Sequence, residues 1–285
     1  MNEINLQDET LNINATASYA LSMQAGLDGF SYCILDSSRN KYIAIRHIPF
    51  FFEEFNSEAF SEKIISIIDA DEYLCCKYKS VRFVFNTTKY TLVPEPLFDK
   101  EQMKLFLSFN HELNDTEALH SNNIRNADAH IIFSLPYPLV EAVYMRFPNS
   151  KLYHSSIPFI ESNLIRFKFK GNKSKVLAHA NSMYFDLIVI NSSGMQLYNS
   201  FSYKNADDLV YYIMYIYDQL KLNPEEADIL LSGILTKNSE AHLKLKRFIR
   251  NIIFDKHNDQ FQYSYIFNDV PSGMFTNLVN LYKCE

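Results

Sequence analysis

The chain has 285 residues, and its 27 basic and 33 acidic side chains give a formal net charge of −6. This mild acidity provides no general attraction to phosphate backbones, so nucleic acid is excluded as an expected partner. The length favours two domains, and a hydrophobic fraction of 47% with only 6 Gly and 9 Pro favours folded cores over disorder.

The first half of the chain predicts a three-stranded meander followed by alternating helices and strands. Residues 1–16 form a polar leader that lacks the basic start and apolar run of a secretory signal. Apolar periodicity predicts strands over 19–26, 30–36, 41–48, 81–87 and 129–135, and helices over 57–68, 100–109 and 138–147. The polar stretch 110–128 is predicted to be a surface loop. The order of elements is therefore βββαβαβα.

The second half predicts the same order of elements. Strands are expected over 175–180, 185–191, 195–203, 228–232 and 260–267, and helices over 206–220, 239–252 and 272–282. We place the domain boundary near Gly171, which gives a first half of 17–170 and a second half of 171–285. The sequence thus predicts a duplicated α/β architecture.

A local sequence match supports the duplication. Phe30–Ser38 (FSYCILDSS) aligns with Phe185–Ser193 (FDLIVINSS) at an offset of 155 residues, and both segments run from a strand into a turn. Such a short similarity is weak alone, because serine and asparagine are common in turns. The match supports a duplication because the two segments lie at the same point in two matching orders of strands and helices.

The cysteines and the hydropathy pattern indicate the compartment. The four cysteines, Cys33, Cys75, Cys76 and Cys284, contain no CxxC spacing, so reduced thiols are expected. No stretch approaches the roughly 20 apolar residues that a membrane helix requires. We therefore expect a cytoplasmic protein without a transmembrane segment.

Two consecutive βββαβαβα units resemble the actin, Hsp70 and sugar-kinase superfamily, in which each half is a ribonuclease H-like domain. The run DLIVINSSGMQLYNSFSY (186–203) is similar to the pilus-assembly and type II secretion scaffold branch, and the chain looks most like an uncharacterised bacterial family of actin-fold proteins. The resemblance implies two ribonuclease H-like domains with the actin-like ATPase fold. It also implies nucleotide bound between the halves, with Mg²⁺ held by acidic residues at strand ends.

The first hairpin departs from the pattern that this resemblance implies. Gln24 stands at the position that resembles the strand-end aspartate of active relatives, and Gly26 follows two residues later. A neutral amide does not replace the charge of a carboxylate. A shift of register would instead promote Asp28-Gly29, which leaves Asp28 as an alternative acid.

The second half departs from the pattern in two further places. The stretch Leu177–Met183 has neither the acid nor the glycines of active relatives, and Asn181 is its remaining candidate contact. The adenosine-binding Gly-Gly is reduced to Ser232-Gly233. These losses predict a degenerate ATPase that needs no cofactor and has no metal site, although ATP binding without turnover stays open.

The preferred interpretation is a pseudo-ATPase that acts as an intracellular assembly or scaffold component, with a protein partner or a homodimer. The alternative is an active ATPase or kinase that uses Asp28 and Asp186 in the interdomain cleft. A third possibility is a dimerising structural protein whose cleft binds a peptide. Other polar groups are interpreted as structural: His111 and His120 as part of a solvated loop, and Asp69 and Asp71 as part of an exposed turn.

Overall fold

The protein was analysed as a computed structural model that describes residues 2–168, 173–271 and 273–284. It divides into two compact units: unit 1 comprises Met1–Pro158, Asp259–Asp269 and Asn277–Glu285, and unit 2 comprises Phe159–Asn258 and Val270–Thr276. The boundary predicted near Gly171 lies outside the described residues. The chain enters unit 2 at Phe159, and its tail returns to unit 1.

Strands and helices alternate along most of the chain. The strands are β1 (Ile4–Gln7), β2 (Tyr19–Gly26), β3 (Gly29–Asp36), β4 (Lys41–Pro49), β5 (Ser80–Phe85), β6 (Tyr90–Pro94), β7 (Glu117–Ile124), β8 (Ala129–Pro136), β9 (Lys151–His154), β10 (Lys175–Ala180), β11 (Tyr184–Asn191), β12 (Gly194–Ser202), β13 (Asp228–Gly233), β14 (Ile252–Phe254) and β15 (Gln262–Tyr263). The helices are α1 (Ser57–Ala70), α2 (Met103–Ser108), α3 (Tyr137–Arg146), α4 (Ser156–Phe167), α5 (Ala206–Gln219), α6 (Glu240–Leu245) and α7 (Thr276–Asn280).

The main sheet of unit 1 has the order β1-β4-β3-β2-β5-β9, and β15 also pairs with β4. Strands β2, β3 and β4 form the predicted antiparallel meander, whereas β5 and β9 continue the sheet in parallel with β2. The polar leader contributes the edge strand β1. With α1, α3 and α4 between and after these strands, the predicted order βββαβαβα is present, but its last strand is Lys151–His154 rather than the predicted 129–135.

The strand predicted over 129–135 lies instead in a separate three-stranded sheet of order β6-β8-β7. The surface loop predicted over 110–128 is wrong, because Glu117–Ile124 pairs with β8 along its whole length. Most side chains of β7 are half-buried, so the strand lacks the apolar alternation that sequence reasoning needs. Helix α2 covers this sheet through Leu107, which packs with Val93 and Ile132.

Unit 2 has a five-stranded sheet of order β12-β11-β10-β13-β14. Helices α5 and α6 pack on one face, where Leu209, Ile213 and Leu245 meet Val176 and Leu231 in a fully buried core. The helix predicted over 239–252 is wrong beyond its first turns. Only Glu240–Leu245 is helical, and the last residue of the predicted helix, Ile252, begins β14, which extends the sheet in parallel with β13.

The second face of each sheet is covered by a segment that is distant in sequence from the strands it contacts. In unit 2, the ring of Phe159 from α4 lies 5.8 Å from His179 and 6.4 Å from Tyr198. In unit 1, the backbone oxygen of Val279 in α7 accepts a 2.6 Å hydrogen bond from the hydroxyl of Tyr42. Helix α4 therefore contributes to the core of unit 2 from before its first strand, and α7 contributes to the core of unit 1 from the end of the chain.

Candidate functional site

The first hairpin is closed by a pair of glycines. Gly26 ends β2 opposite Gly29 at the start of β3, and Asp28 lies in the turn between them. A Cβ atom on Gly26 would lie 3.0 Å from Cβ of Asn86 and 3.1 Å from Oδ1 of Asp28. The glycine therefore allows Asn86, which follows β5, to approach the hairpin closely.

Gln24 stands in a polar row that crosses the sheet of unit 1. It pairs with Ser31 on β3, and the Ser31 hydroxyl lies 2.8 Å from Nδ1 of His47 on β4. Among the described residues, Oε1 of Gln24 and Oδ1 of Asn86 are buried without a hydrogen-bond partner. Burial lowers the pKa of His47, and the carboxylate of Asp28 acts in the opposite direction. The first hairpin thus concentrates amide and imidazole groups around one acid.

The second hairpin turns at Asn181, whose backbone forms part of the turn itself. The backbone N–H of Asn181 donates to the oxygen of Tyr184 at 2.9 Å. The hydroxyl of Tyr203 donates to the backbone oxygen of Asn181. The first of these bonds occupies a backbone N–H group of the kind that a phosphate-binding turn directs at its ligand.

Gly233 is required by the close approach of β10 and β13. Its φ angle is 78°, and a Cβ atom would lie 2.0 Å from the backbone oxygen of Ala180. Its N–H donates to the oxygen of Gly273 at 2.8 Å, and the N–H of Ile234 donates to Ala180 at 3.0 Å. This glycine serves the packing of the strand ends whether or not a ligand binds.

A second polar row crosses unit 2 at the position equivalent to the row of Gln24. Ser200, Asp186, His179 and Ser232 face one another on β12, β11, β10 and β13. Nδ1 of His179 lies 2.9 Å from the hydroxyl of Ser232. The offset of 155 residues that relates the repeats also relates Gln24 to His179. Both strand-end positions therefore carry a side chain other than a carboxylate.

Asp186, the second candidate acid, is enclosed in this row. It is 1% exposed, and its Oδ1 accepts hydrogen bonds from Tyr198 at 3.0 Å and from Ser200 at 2.5 Å. Its Oδ2 is buried and has no partner among the described residues. Burial raises the pKa of Asp186 to about 6, although the two hydroxyl groups oppose that rise.

The structure therefore brings together the predicted residues within each unit. Gln24, Gly26 and Asp28 share the first hairpin. In unit 2, Asp186, Ser232 and Gly233 lie on the strands β11 and β13 on either side of β10, and Asn181 follows β10 in the turn. Sequence reasoning missed Asn86 and the equivalence of His179 with Gln24. The repeat offset carried the signal for His179, whereas Asn86 had none because it meets β2 only through parallel pairing with β5.

Two structural interpretations made from sequence are wrong. Asp71 is 3% exposed rather than part of an open turn, and its carboxylate accepts a 3.0 Å hydrogen bond from Tyr32 and pairs with Arg46. His120 lies on β7 with its ring 5.7 Å from Phe133, not in a solvated loop. Among the described residues, no group of three or more His, Cys, Asp or Glu side chains is arranged to hold a metal ion.

Solved structures place this fold among known proteins. A Bacteroides thetaiotaomicron protein with actin-like ATPase fold and unknown function is 23% identical, with a TM-score of 0.78 over 97% of this chain and 100% of that one. The PilM-PilN type IV pilus biogenesis complex matches with a TM-score of 0.60 at 9% identity, over 92% and 97% of the chains. The ethanolamine utilization protein EutJ from Carboxydothermus hydrogenoformans matches at 0.52 and 7%, over 98% and 93%. The predicted actin-like ATPase fold is confirmed.

Helix hydropathy and two sequence comparisons give three further results. In the part of the chain that the structure describes, no helix has both the length and the apolar character needed to cross a membrane. No curated protein matches the sequence. A family model described as "Protein of unknown function (DUF3822)" matches residues 8–252. The chain therefore belongs to the DUF3822 family and has an actin-like ATPase fold.

Proposed function

We propose that this chain is an actin-fold protein that does not hydrolyse ATP and acts as an intracellular assembly component. One observation carries the proposal. The equivalent strand-end positions of the two units carry the amide of Gln24 and the imidazole of His179, where the superfamily resemblance implies carboxylates. Mg²⁺ prefers carboxylate and water oxygens, so this pair of side chains fits a magnesium–nucleotide complex poorly.

The remaining acids support the same proposal. Asp186 holds its carboxyl in a buried site, where two hydroxyl groups already bind Oδ1. Asp28 lies in the turn between β2 and β3, where its charge opposes the lowering of the pKa of His47, and residues 24–31 contain no other carboxylate. A rival ATPase or kinase would have to work with these two acids.

An ATP titration distinguishes the two functions. Calorimetry with ATP and Mg²⁺ and a phosphate-release assay are run on the full chain, on the variant Asp28→Ala, and on Asp99→Ala as a control that changes an acid outside both hairpins. We expect no phosphate release from any of the three proteins. Micromolar affinity together with phosphate release that Asp28→Ala abolishes, and Asp99→Ala does not, would establish the rival enzyme.

The assembly role is supported by an exposed aromatic surface on unit 2. On α5, Tyr211 is 63% exposed and Tyr215 is 46% exposed, and their rings stack 6.3 Å apart. Tyrosine is enriched at protein interfaces because it buries a large area with little loss of conformational entropy. The PilM-PilN neighbour is itself a complex with a protein partner, which favours a protein partner or a second copy here.

Light scattering after size-exclusion chromatography tests the homodimer. If a second copy covers this surface, the wild-type chain elutes as a dimer, and Tyr211→Ser with Tyr215→Ser shifts it to the monomer mass. Leu105→Ser, which changes an equally exposed residue of α2, is the matched control. A wild-type chain that elutes as a monomer at all concentrations would exclude the homodimer, and the partner would then be a different protein.

A further inference from the structure

The polar row of unit 2 is buried at His179, Asp186 and Ser232, and half-buried at Ser200 on the edge strand. Strand β12 lies at the edge of the sheet, and Asp186 on β11 is bound to it through side chains as well as through the backbone ladder. Two of those side chains, Tyr198 and Ser200, both donate to the same oxygen of Asp186. The edge strand is thus attached partly through one carboxyl group.

The other oxygen of that carboxyl group lacks a partner. Oδ2 of Asp186 is buried and makes no hydrogen bond with the described residues. A buried carboxylate oxygen without a donor carries a large desolvation penalty, which a proton on the carboxyl group removes. The site therefore favours the neutral acid, whose Oδ1 still accepts from both hydroxyl groups.

We propose that Asp186 is a proton-controlled latch, which holds edge strand β12 and helix α4 against the sheet when it is protonated and loosens them when it is ionised. This inference goes beyond the proposed function and does not rest on it, because the titration of Asp186 requires neither a nucleotide nor a partner protein.

The groups that face Asp186 do not compensate its charge. From β10 the titratable group is His179, whose Nδ1 is engaged with Ser232. From β12 the facing groups are the hydroxyls of Tyr198 and Ser200, and β11 and β12 carry no charged side chain other than Asp186. Helix α4 contributes the ring of Phe159, which contacts both His179 and Tyr198.

The basic residue of α4 that could supply a counter-charge to Asp186 is already paired with another acid. Arg166 binds Asp255, which follows β14, at 2.6 Å. Ionised Asp186 therefore gains a counter-charge or water only if the structure around it opens. The edge strand opens most easily, because among the described strands only β11 pairs with it.

The expected size of the pH effect on opening follows from the pKa of Asp186 in the closed and the open form. The pKa of Asp186 is about 6 in the closed unit and 3.8 for a free side chain. Because the open form ionises first as the pH rises, opening becomes roughly tenfold more favourable between pH 5 and pH 8, with most of the change below about pH 6.5.

Hydrogen exchange of the full chain tests the latch. Exchange is followed by mass spectrometry between pH 5 and pH 8 and corrected for the intrinsic pH dependence of amide exchange. We expect protection of β12 and of residues 159–167 to fall about tenfold across that range. In Asp186→Asn the corrected protection should not change with pH. Protection that is constant in the wild type, or that changes equally in Asp186→Asn, would overturn the proposal.

Two further variants keep the test decisive if Asp186→Asn does not fold. Ser200→Ala removes a hydrogen bond that favours the charged form, so the midpoint of the change should move to higher pH. Asp36→Asn is the matched control, because Asp36 in unit 1 is also buried and accepts from the hydroxyl of Ser38, yet its pKa is lowered. An unmoved midpoint in Ser200→Ala, or a shifted one in Asp36→Asn, would contradict the latch.

Discussion

Protonation of His154 is expected to destabilise unit 1 in acid. His154 is fully buried, and its Nδ1 accepts from the backbone N–H of Ser156 at 3.1 Å. Its Nε2 lies 2.9 Å from the backbone oxygen of Thr87 and must therefore carry the hydrogen. Both ring nitrogens are engaged by the neutral ring. A second proton on Nδ1 would displace the backbone N–H of Ser156, leaving only the Ser156 hydroxyl, 2.7 Å away, as acceptor, and it would place a charge in a fully buried site.

The magnitude follows from the shift in pKa. Burial lowers the pKa of His154 from 6.5 to about 4, although the bond to Thr87 opposes this. Since the unfolded chain binds the proton first, stability present above pH 6.5 is lost as the pH falls towards 4. The loss is about 1.4 kcal/mol per pH unit, which gives roughly 3 kcal/mol over that window.

Urea unfolding at a series of pH values measures this loss. Unfolding of the whole chain is followed by tyrosine fluorescence, and His154→Gln is compared with the wild type. The variant is less stable at pH 7.5, but the difference in unfolding free energy should shrink by roughly 3 kcal/mol by pH 4, because glutamine does not titrate. A difference that stays constant with pH, or an imidazole that titrates near 6.5 by NMR, would refute the reasoning.

Two further predictions concern packing in unit 2. Gly233→Ala should destabilise unit 2 by several kcal/mol, since the new Cβ would meet the backbone oxygen of Ala180 at 2.0 Å. The control is Gly194→Ala, whose Cβ would lie 3.6 Å from the side chain of Lys168. Thermal unfolding of the two variants checks the prediction, and equal losses of stability would contradict it. Tyr217→Phe should cost about 1 kcal/mol by removing the buried 2.9 Å hydrogen bond to the oxygen of Ala227, and urea unfolding with no loss would show that this bond is energetically neutral.

The repeated meander was predictable from sequence because its signals are local. Strand β3 is buried along its whole length, and β11 is buried except at its ends; both therefore appear as continuous apolar runs that end in turn residues. The helix predicted over 206–220 is α5, which Asn205 caps and whose buried face includes Leu209 and Ile213. Such patterns survive without tertiary information.

The errors occurred where tertiary contacts determine the structure. Strand β14 has only three residues, and its pairing with β13, not its own pattern, makes it a strand. Strand β9 has four residues and is likewise defined by β5. Asp71 was misread because its partners, Tyr32 and Arg46, are 39 and 25 residues away. Short parallel strands and buried ion pairs leave little local signal, so neither was predictable.

The candidate site was predictable in part, and the duplication explains which part. Gln24 and His179 occupy the same position of equivalent hairpins, so one repeat offset locates both. Each stands in a row of polar side chains near the carboxyl end of its strand, where parallel sheets commonly bind ligands. Burying such groups costs about 1–3 kcal/mol for each one left without a hydrogen bond, and unmatched oxygens remain in both rows, on Gln24 and on Asp186. Packing alone would favour apolar residues at both places.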